Sequence, residues 1–366
     1  MKAIQWIISA LVAVVIIAAA VGGGVYFTRL KSIHSIRKLT DYENYNLYRM
    51  DIDYAYDLDR LIDRGITDNQ SMINAILAEA LPYLPIHMKA PNFGCSAFCT
   101  QGTDGHTLMG RNYDFKNDTS AMLVYCTPKD GYASVAFAAL DNINANTPDA
   151  SMAKKLATLT APFICLDGMN EKGVSIAVLT LDSEPVHQNT GKPTIATTLA
   201  IRLVLDRAAT TEEAVQLLSS YDMFASSGRD YHFYITDASG DGRVVEYDCE
   251  KETRPLVATP MEAITNFYGL YRDKVLPNQR NGIYGHGRER YDAVMKVLEE
   301  QAEGYTNDTV WDALKASSQE PNPVDITSNT QWSIAYNNTG LTAEIVIRRH
   351  WDEIISYSLS QNDVTR

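Results

Sequence analysis

Several motifs that identify common enzyme classes are missing from this sequence of 366 residues. There is no Walker loop, no dinucleotide-binding fingerprint and no internal repeat, so the common nucleotide-binding sites are not indicated. The five cysteines are an odd number without a paired CxxC motif, and the seven histidines are scattered. Neither a disulfide framework nor a zinc site is expected, and the interpretation needs no metal or other cofactor.

Positive charge is also scarce. The 32 Lys and Arg residues are outnumbered by 45 Asp and Glu residues, which gives a net charge of -13, and no basic cluster stands out in the body of the chain. This balance argues against a general nucleic-acid binder. The hydrophobic content of 45% allows a substantial core in one or two domains, and the cysteine count is compatible with one reactive free thiol.

The N-terminus carries a long run without charge, residues 4–27, which is about the twenty residues that a membrane-spanning helix needs. We therefore predict a single-pass anchor within residues 1–38 that contacts the membrane through residues 4–27. A secretory signal is the alternative, because Ala18-Ala19-Ala20 offers a cleavage site and would release a secreted protein. Basic residues after the run favour a cytoplasmic catalytic domain, but the side of the membrane stays open.

Cys95 is the most informative residue that is present. Arg111 follows it at sixteen positions and Asp114 at nineteen. A thiol is a weak nucleophile until a base takes its proton, and no partner is obvious near Cys95 in the sequence. Cleavage between Gly94 and Cys95 would supply one, because the freed α-amine has an ordinary pKa of about 8. On the Gly-Cys pair alone, a small buried apolar cysteine is the commoner reading.

Five short motifs extend this pattern along the chain. They are Gly94-Cys95-Ser96-Ala97-Phe98, Gly110-Arg111-Asn112-Tyr113-Asp114-Phe115, Asp167-Gly168-Met169-Asn170-Glu171-Lys172-Gly173, Ile264-Thr265-Asn266 and Arg288-Glu289-Arg290-Tyr291. In order and approximate spacing they resemble the choloylglycine hydrolase family of N-terminal nucleophile amidohydrolases. That family includes bile salt hydrolases and penicillin V acylases, with acid ceramidase and penicillin acyltransferase as relatives. The resemblance covers most of the chain, from about residue 93 to the C-terminal strands.

The resemblance implies a role for each matching residue. Cys95 is similar to the family nucleophile with its α-amine as base, Asp114 to the carboxylate that binds this amine, and Arg111 to the cation beside the thiol. These residue types suit the roles, since a carboxylate stabilises an ammonium group and an arginine favours a thiolate. A structural ion pair between Arg111 and Asp114 at a strand end is the alternative.

Two asparagines and an arginine complete the implied site. The resemblance assigns Asn170 and Asn266 to the oxyanion hole, one through a backbone N–H and the other through its side-chain amide. Arg290 matches a further active-site arginine, although Arg288 is close enough to leave the register open. Asn170 in a turn and Asn266 as a loop cap are the structural alternatives.

Cys99 is the rival nucleophile. It lies only twelve residues before Arg111 and follows Phe98, a bulkier neighbour for cleavage than glycine. The remaining cysteines are interpreted as packing or incidental thiols: Cys126, Cys165 and Cys249.

The chain divides into three segments by pattern. After residues 1–38, residues 39–94 read as a mainly helical preface that would become the α chain after cleavage, with an apolar stripe of Leu47, Met50, Tyr54, Leu58 and Leu61. A second helix is predicted at Met72–Leu81 behind the candidate caps Thr67 and Asp68. Residues 95–366 alternate blocks of strands with helices at Thr197–Ala208, Glu212–Ser219 and Glu289–Ala302, which indicates an α+β domain. The resemblance adds a four-layer αββα N-terminal nucleophile hydrolase sandwich.

The sequence thus predicts a self-processing cysteine amidohydrolase that cleaves the linear C–N amide bond of a small N-acyl substrate through a Cys95 thioester. An acyltransferase differs only in which nucleophile takes the acyl group. A membrane-tethered binding module on a hydrolase scaffold and a Cys/His protease also stay open. The acyl and amine groups of the substrate, and whether the chain forms a homo-oligomer, are not decided by the sequence.

Overall fold

The structure is a computed structural model that describes residues 22–82, 94–115, 118–280, 282–301, 304–322 and 329–365. Most of the predicted membrane span, residues 4–21, lies outside the described residues. Within the described ranges, no helix combines the length and the apolar character that a membrane span needs. The first described helix, α1, covers residues 22–34.

The described residues contain eighteen strands. In chain order they are β1 (Arg37–Lys38), β2 (Leu47–Ile52), β3 (Gly94–Gln101), β4 (Thr107–Asp114), β5 (Ala121–Cys126), β6 (Ser134–Ala139), β7 (Cys165–Asn170), β8 (Ser175–Leu181), β9 (Thr194–Ala196), β10 (Asp222–Phe224), β11 (Asp230–Thr236), β12 (Arg243–Tyr247), β13 (Leu256–Pro260), β14 (Ala263–Ile264), β15 (Thr330–Asn337), β16 (Thr342–Ile347), β17 (Ile355–Ser358) and β18 (Asp363–Thr365).

Seven further α-helices are described after α1: α2 (Leu58–Asp63), α3 (Asn69–Ala80), α4 (Met152–Ala157), α5 (Thr197–Arg207), α6 (Thr211–Ser219), α7 (Arg288–Glu300) and α8 (Asn307–Ser317). Short 3-10 helices cover Leu140–Ile143, Pro148–Ala150, Thr158–Phe163 and Gly269–Lys274. The predicted helices at Met72–Leu81, Thr197–Ala208, Glu212–Ser219 and Glu289–Ala302 are confirmed as α3, α5, α6 and α7. Helices α3 and α6 begin at side-chain caps, since Asp68 and Thr210 accept hydrogen bonds from backbone N–H groups of the first turn.

Two large sheets pack face to face. The first has nine strands in the order β1-β2-β5-β6-β7-β8-β11-β12-β13, and the second has seven in the order β14-β3-β4-β15-β16-β17-β18. Strand β3 of the second sheet packs across β8 and β11 of the first. The facing side chains form one large apolar core, which includes Cys95, Tyr113 and Trp332.

Helices cover the outer face of each sheet. Helix α5 packs on β7 and β8, whereas α7 packs on β3 and β14 and α8 on β4 and β15. The second helical layer encloses a separate apolar cluster around Phe98, Val294 and Leu314. The expected αββα sandwich is therefore confirmed for the described residues.

The described part of the preface, residues 39–82, is not mainly helical, and that prediction is wrong for its first half. Leu47 and Met50 lie in strand β2, which pairs in parallel with β5 and has β1 on its other side. Only Leu58 and Leu61 of the predicted stripe lie in a helix, the short α2. The spacing was misleading because β2 is buried on both faces, and such a strand shows no alternation. The preface thus contributes strand β2 to the larger sheet.

Candidate active site

Cys95 is the second residue of β3, and its side chain points into the space between the two sheets. It is fully buried, with an exposed fraction of 0%. Its neighbour across the antiparallel pair is Tyr113 of β4, so the two side chains share one face. Burial raises the pKa of the Cys95 thiol to about 12, against the lowering influence of Arg111. In the uncut chain the thiol is therefore protonated at neutral pH.

Arg111 lies two residues before Tyr113 on β4, on the same face as Cys95. Its guanidinium interacts with the thiol and forms an ion pair with Asp167, with 3.3 Å between Nε and Oδ2. Its Nη2 donates to the carbonyl of Val178 at 3.0 Å. Burial alone would lower the pKa of Arg111, but its interactions with the Cys95 side chain and the Asp167 carboxylate outweigh burial and raise that pKa. The cation is thus fixed beside the sulfur.

The sheet topology provides the acceptors for two site residues. Strand β7 pairs with β8 only between Asp167–Met169 and Ser175–Ala177, so the rest of β8 lacks a β7 partner. The carbonyls of Val178 and Thr180, in this part of β8, accept hydrogen bonds from Arg111 and from Asn266. Arg111 and Asn266 are thereby held at the part of β8 that extends beyond its pairing with β7.

Asn266 lies directly beside the backbone nitrogen of Cys95. Its Oδ1 accepts the Cys95 N–H at 3.2 Å and a hydrogen bond from Arg290 Nη2 at 2.7 Å. Its Nδ2 donates to the Thr180 carbonyl at 2.9 Å, which uses one of its two hydrogens. Asn266 is therefore brought to the nucleophile as predicted, and it binds the atom that cleavage would turn into an α-amine.

The register of the two arginines on α7 is settled by their contacts. Arg290 is buried and also donates from Nη1 to the Cys95 carbonyl at 3.1 Å and to Asp114 Oδ2 at 3.4 Å. Arg288 instead bonds Asp292 of its own helix and the carbonyl of Arg272. Arg290 is the arginine of the site.

Asp114 ends β4, and its carboxylate lies on the α8 side of the sheet. Thr330 Oγ1 donates to its Oδ1 at 2.6 Å and Gln319 Nε2 to its Oδ2 at 2.7 Å. Burial raises the pKa of this carboxyl above its ordinary value, while Arg290 and the two hydrogen bonds act in the opposite direction. Asp114 and Arg111 do not form an ion pair with each other in the described structure, because each has its own partner of opposite charge.

The structure does not bring Asn170, the other residue expected at the oxyanion hole, to Cys95. Its backbone N–H donates to the Val174 carbonyl, and its Nδ2 donates to the carbonyls of Leu205 and Ala208 at the end of α5. Every N–H of this residue is thus used. Its Oδ1 accepts from the backbone of Lys172 and Val174. Asn170 holds the β7–β8 turn to α5 on the face away from Cys95.

Cys99 also lies on β3, but its surroundings differ from those of Cys95. Its sulfur lies 3.2 Å from Thr236 Oγ1, and burial raises the pKa of its thiol to about 11. Unlike Cys95, it has no arginine among the groups that shift its pKa. All five cysteines are free, and the described residues contain no cluster suited to a metal ion.

Three residues that support the site were missed by sequence reasoning. Asp167 belongs to the third sequence motif, but no role was predicted for it. It forms an ion pair with Arg111, and its Oδ1 accepts a hydrogen bond from the Tyr336 hydroxyl at 2.6 Å. Gln319 and Thr330 belong to no motif, and only the fold brings them to Asp114. No local pattern in the sequence identifies them.

Similarity to known proteins agrees with this geometry. The family model described as linear amide C-N hydrolases, choloylglycine hydrolase family, matches residues 95–253. Penicillin V acylase from Agrobacterium tumefaciens has a similar structure, with a TM-score of 0.52 at 18% identity over 73% of this chain and 87% of that chain. Two variants of conjugated bile acid hydrolase from Clostridium perfringens have TM-scores of 0.53 at 16% identity, over 74% of this chain and 96% or 95% of theirs.

No curated protein sequence matches this chain. At these identities the structural likeness shows the fold, a mixed α/β architecture shared with N-terminal nucleophile hydrolases. The sequence match covers β3 to the turn after β12, which includes Cys95, Arg111 and Asp114 but ends before Asn266 and Arg290.

Proposed function

We propose that this chain, which matches the choloylglycine hydrolase family of linear amide C-N hydrolases over residues 95–253, is a self-processing cysteine amidohydrolase that acts through a Cys95 thioester. One observation carries this proposal. The sulfur and the backbone nitrogen of Cys95 are each held by a separate polar group, Arg111 for the sulfur and Asn266 for the nitrogen. A packing cysteine would need neither contact.

The first proposed step is cleavage of the Gly94–Cys95 bond. The Cys95 thiol attacks the Gly94 carbonyl carbon, the C–N bond breaks, and the Cys95 nitrogen takes up the proton. Water then hydrolyses the resulting thioester, which leaves a carboxylate on Gly94 and a free α-amine on Cys95. Because the thiol of the uncut chain has a pKa of about 12, we expect this single turnover to be slow.

In the mature enzyme the new α-amine acts as the general base. It takes the thiol proton, and the thiolate attacks the substrate carbonyl beside the Arg111 guanidinium. The amine then passes the proton to the leaving group, and water releases the acyl group. Asn266 Oδ1 and the Asp114 carboxylate, linked through Arg290, orient the amine and stabilise its protonated form.

The preface and the membrane span complete the proposal. We infer that residues 39–94 stay bound after cleavage, because β2 lies inside the larger sheet between β1 and β5. Residues 4–27 would then anchor the cleaved enzyme to the membrane through the α chain. This placement rests on the uncharged run in the sequence.

Intact-mass measurement and terminal sequencing of the purified protein test the mechanism. We expect a fragment that begins at Cys95, and we expect Cys95→Ala to remain in one piece and inactive. Cys99→Ala is the matched control, another buried cysteine of β3, and should cut itself and hydrolyse amides like the wild type. A wild-type chain that stays uncut and still hydrolyses linear amides would contradict the proposed base.

A further inference from the structure

Tyr113 is the direct neighbour of the nucleophile across the β3–β4 pair. Side chains that face each other in this way have Cβ atoms about 4.5–5.5 Å apart, and Cys95 and Tyr113 are paired in register. Both have an exposed fraction of 0%. The phenol ring therefore forms part of the wall around the sulfur.

The ring of Tyr113 is held firmly in place. It stacks on Trp332 of β15, with 4.1 Å between the ring centroids and 29° between the planes, and lies 6.2 Å from the ring of Phe115. The Arg111 guanidinium lies 5.9 Å from the ring centroid. Aromatic contacts on this scale stabilise one orientation of the side chain. The direction of its hydroxyl is thereby set by the fold.

The hydroxyl of Tyr113 has no hydrogen-bond partner among the described residues. A buried polar group without a partner is rare and unfavourable, and phenylalanine would fill the same space without this cost. Burial raises the pKa of Tyr113 well above its ordinary value. The phenol thus stays protonated and remains a hydrogen-bond donor on the strand next to the reacting cysteine.

We propose that the Tyr113 hydroxyl is a specificity-determining donor that binds an oxygen atom in the acyl half of the substrate. The inference rests on the proposed function, which places the leaving amine beside the Cys95 nitrogen. The Cys95 nitrogen faces Asn266, which follows β14. Tyr113 lies on β4. Because the strand order is β14-β3-β4, Asn266 and Tyr113 lie on opposite edges of β3. The acyl half therefore extends towards Tyr113. The matching substrates are amides whose acyl chain carries an ether, keto or hydroxyl oxygen near the carbonyl.

The test compares two p-nitroanilides of equal chain length, hexanoyl and propoxyacetyl, which differ by one oxygen in place of a methylene. We expect the wild type to favour the propoxyacetyl substrate by about 3- to 10-fold in kcat/KM, the range of one hydrogen bond between neutral groups. Tyr113→Phe should lose this preference through a fall in kcat/KM for the propoxyacetyl substrate, and it should melt at the same or a higher temperature.

Tyr247→Phe is the matched control. Tyr247 of β12 is also fully buried with an unpartnered hydroxyl among the described residues, and its strand is separated from β8 by β11. This variant should keep the wild-type preference. An equal preference in the wild type and Tyr113→Phe, or an equal loss on both substrates, would overturn the inference.

Binding of the two carboxylic acid products separates this inference from the proposed function, since it needs no turnover. Calorimetry should show tighter binding of propoxyacetate than of hexanoate to the wild-type protein and similar binding of both to Tyr113→Phe. If the wild type cleaves neither anilide, the amidohydrolase proposal fails on these substrates, and the acid titrations still decide the role of Tyr113. No difference between the acids in the wild type refutes it.

Discussion

Leu47→Ala is expected to loosen the hold of the α chain on the catalytic chain after cleavage. Leu47 has an exposed fraction of 0% in β2, where it pairs with Ala121 of β5. Truncating a fully buried leucine to alanine costs about 2–5 kcal/mol, because the lost apolar contacts leave a cavity. At about 1.4 kcal/mol for each tenfold change in an equilibrium constant, the dissociation constant of the two fragments should rise by roughly 30- to several thousand-fold.

Size-exclusion chromatography of the cleaved protein over a dilution series measures this change. The fragment that begins at Cys95 should co-elute with the α chain in the wild type at every dilution and should separate from it in Leu47→Ala. Leu30→Ala is the matched control, the same chemical change in the same fragment at a side chain that is 41% exposed, and it should behave like the wild type.

Two results would refute this reasoning. Separation of the wild-type fragments would mean that the preface is a discarded propeptide despite its strand in the sheet. Fragments of Leu47→Ala that stay together as tightly as those of the wild type would mean that β2 does not hold the chains together. If the chain stays uncut, the same substitution should lower the free energy of unfolding by the same amount of about 2–5 kcal/mol.

Further predictions concern the site and the stability of the fold. Arg290→Ala should lower kcat/KM at least 100-fold, because Asn266, Asp114 and the Cys95 carbonyl lose a shared partner, whereas Arg288→Ala should stay within about 3-fold in the same assay. Asn266→Ala should lower kcat by about 100- to 1000-fold if its amide also serves the oxyanion, while Asn170→Ala should lower the melting temperature and leave kcat close to wild type. The melting temperature should also fall from about pH 8.5 upward. Burial raises the pKa of the Cys126 thiol to about 11 in the folded protein, whereas the same thiol ionises at about pH 8.5 in the unfolded chain. The stability that this difference contributes is therefore complete below about pH 8.5 and is lost as the pH rises towards 11. Cys126→Ala should make this decline less steep, and an unchanged slope would contradict the assignment.

Local patterns in the sequence determined several helices and part of the site. The caps and apolar periodicity predicted α3, α5, α6 and α7, because helix starts depend on side chains that are close in sequence. Cys95, Arg111 and Asp114 were found for a similar reason, since β3 and β4 are neighbours in the chain as well as in the sheet. An antiparallel pair of this kind turns a short sequence spacing into a contact.

Tertiary structure decided what depends on pairing between distant segments. Strand β2 was read as helix because it pairs with β5, far along the chain, and this pairing leaves no signal in the local sequence. Asn170 and Asn266 look equally suited to an oxyanion hole in the sequence. The fold directs one to the end of α5 and the other to Cys95. Gln319 and Thr330 reach Asp114 from more than two hundred residues away, so their role follows from how the layers pack and not from any local pattern.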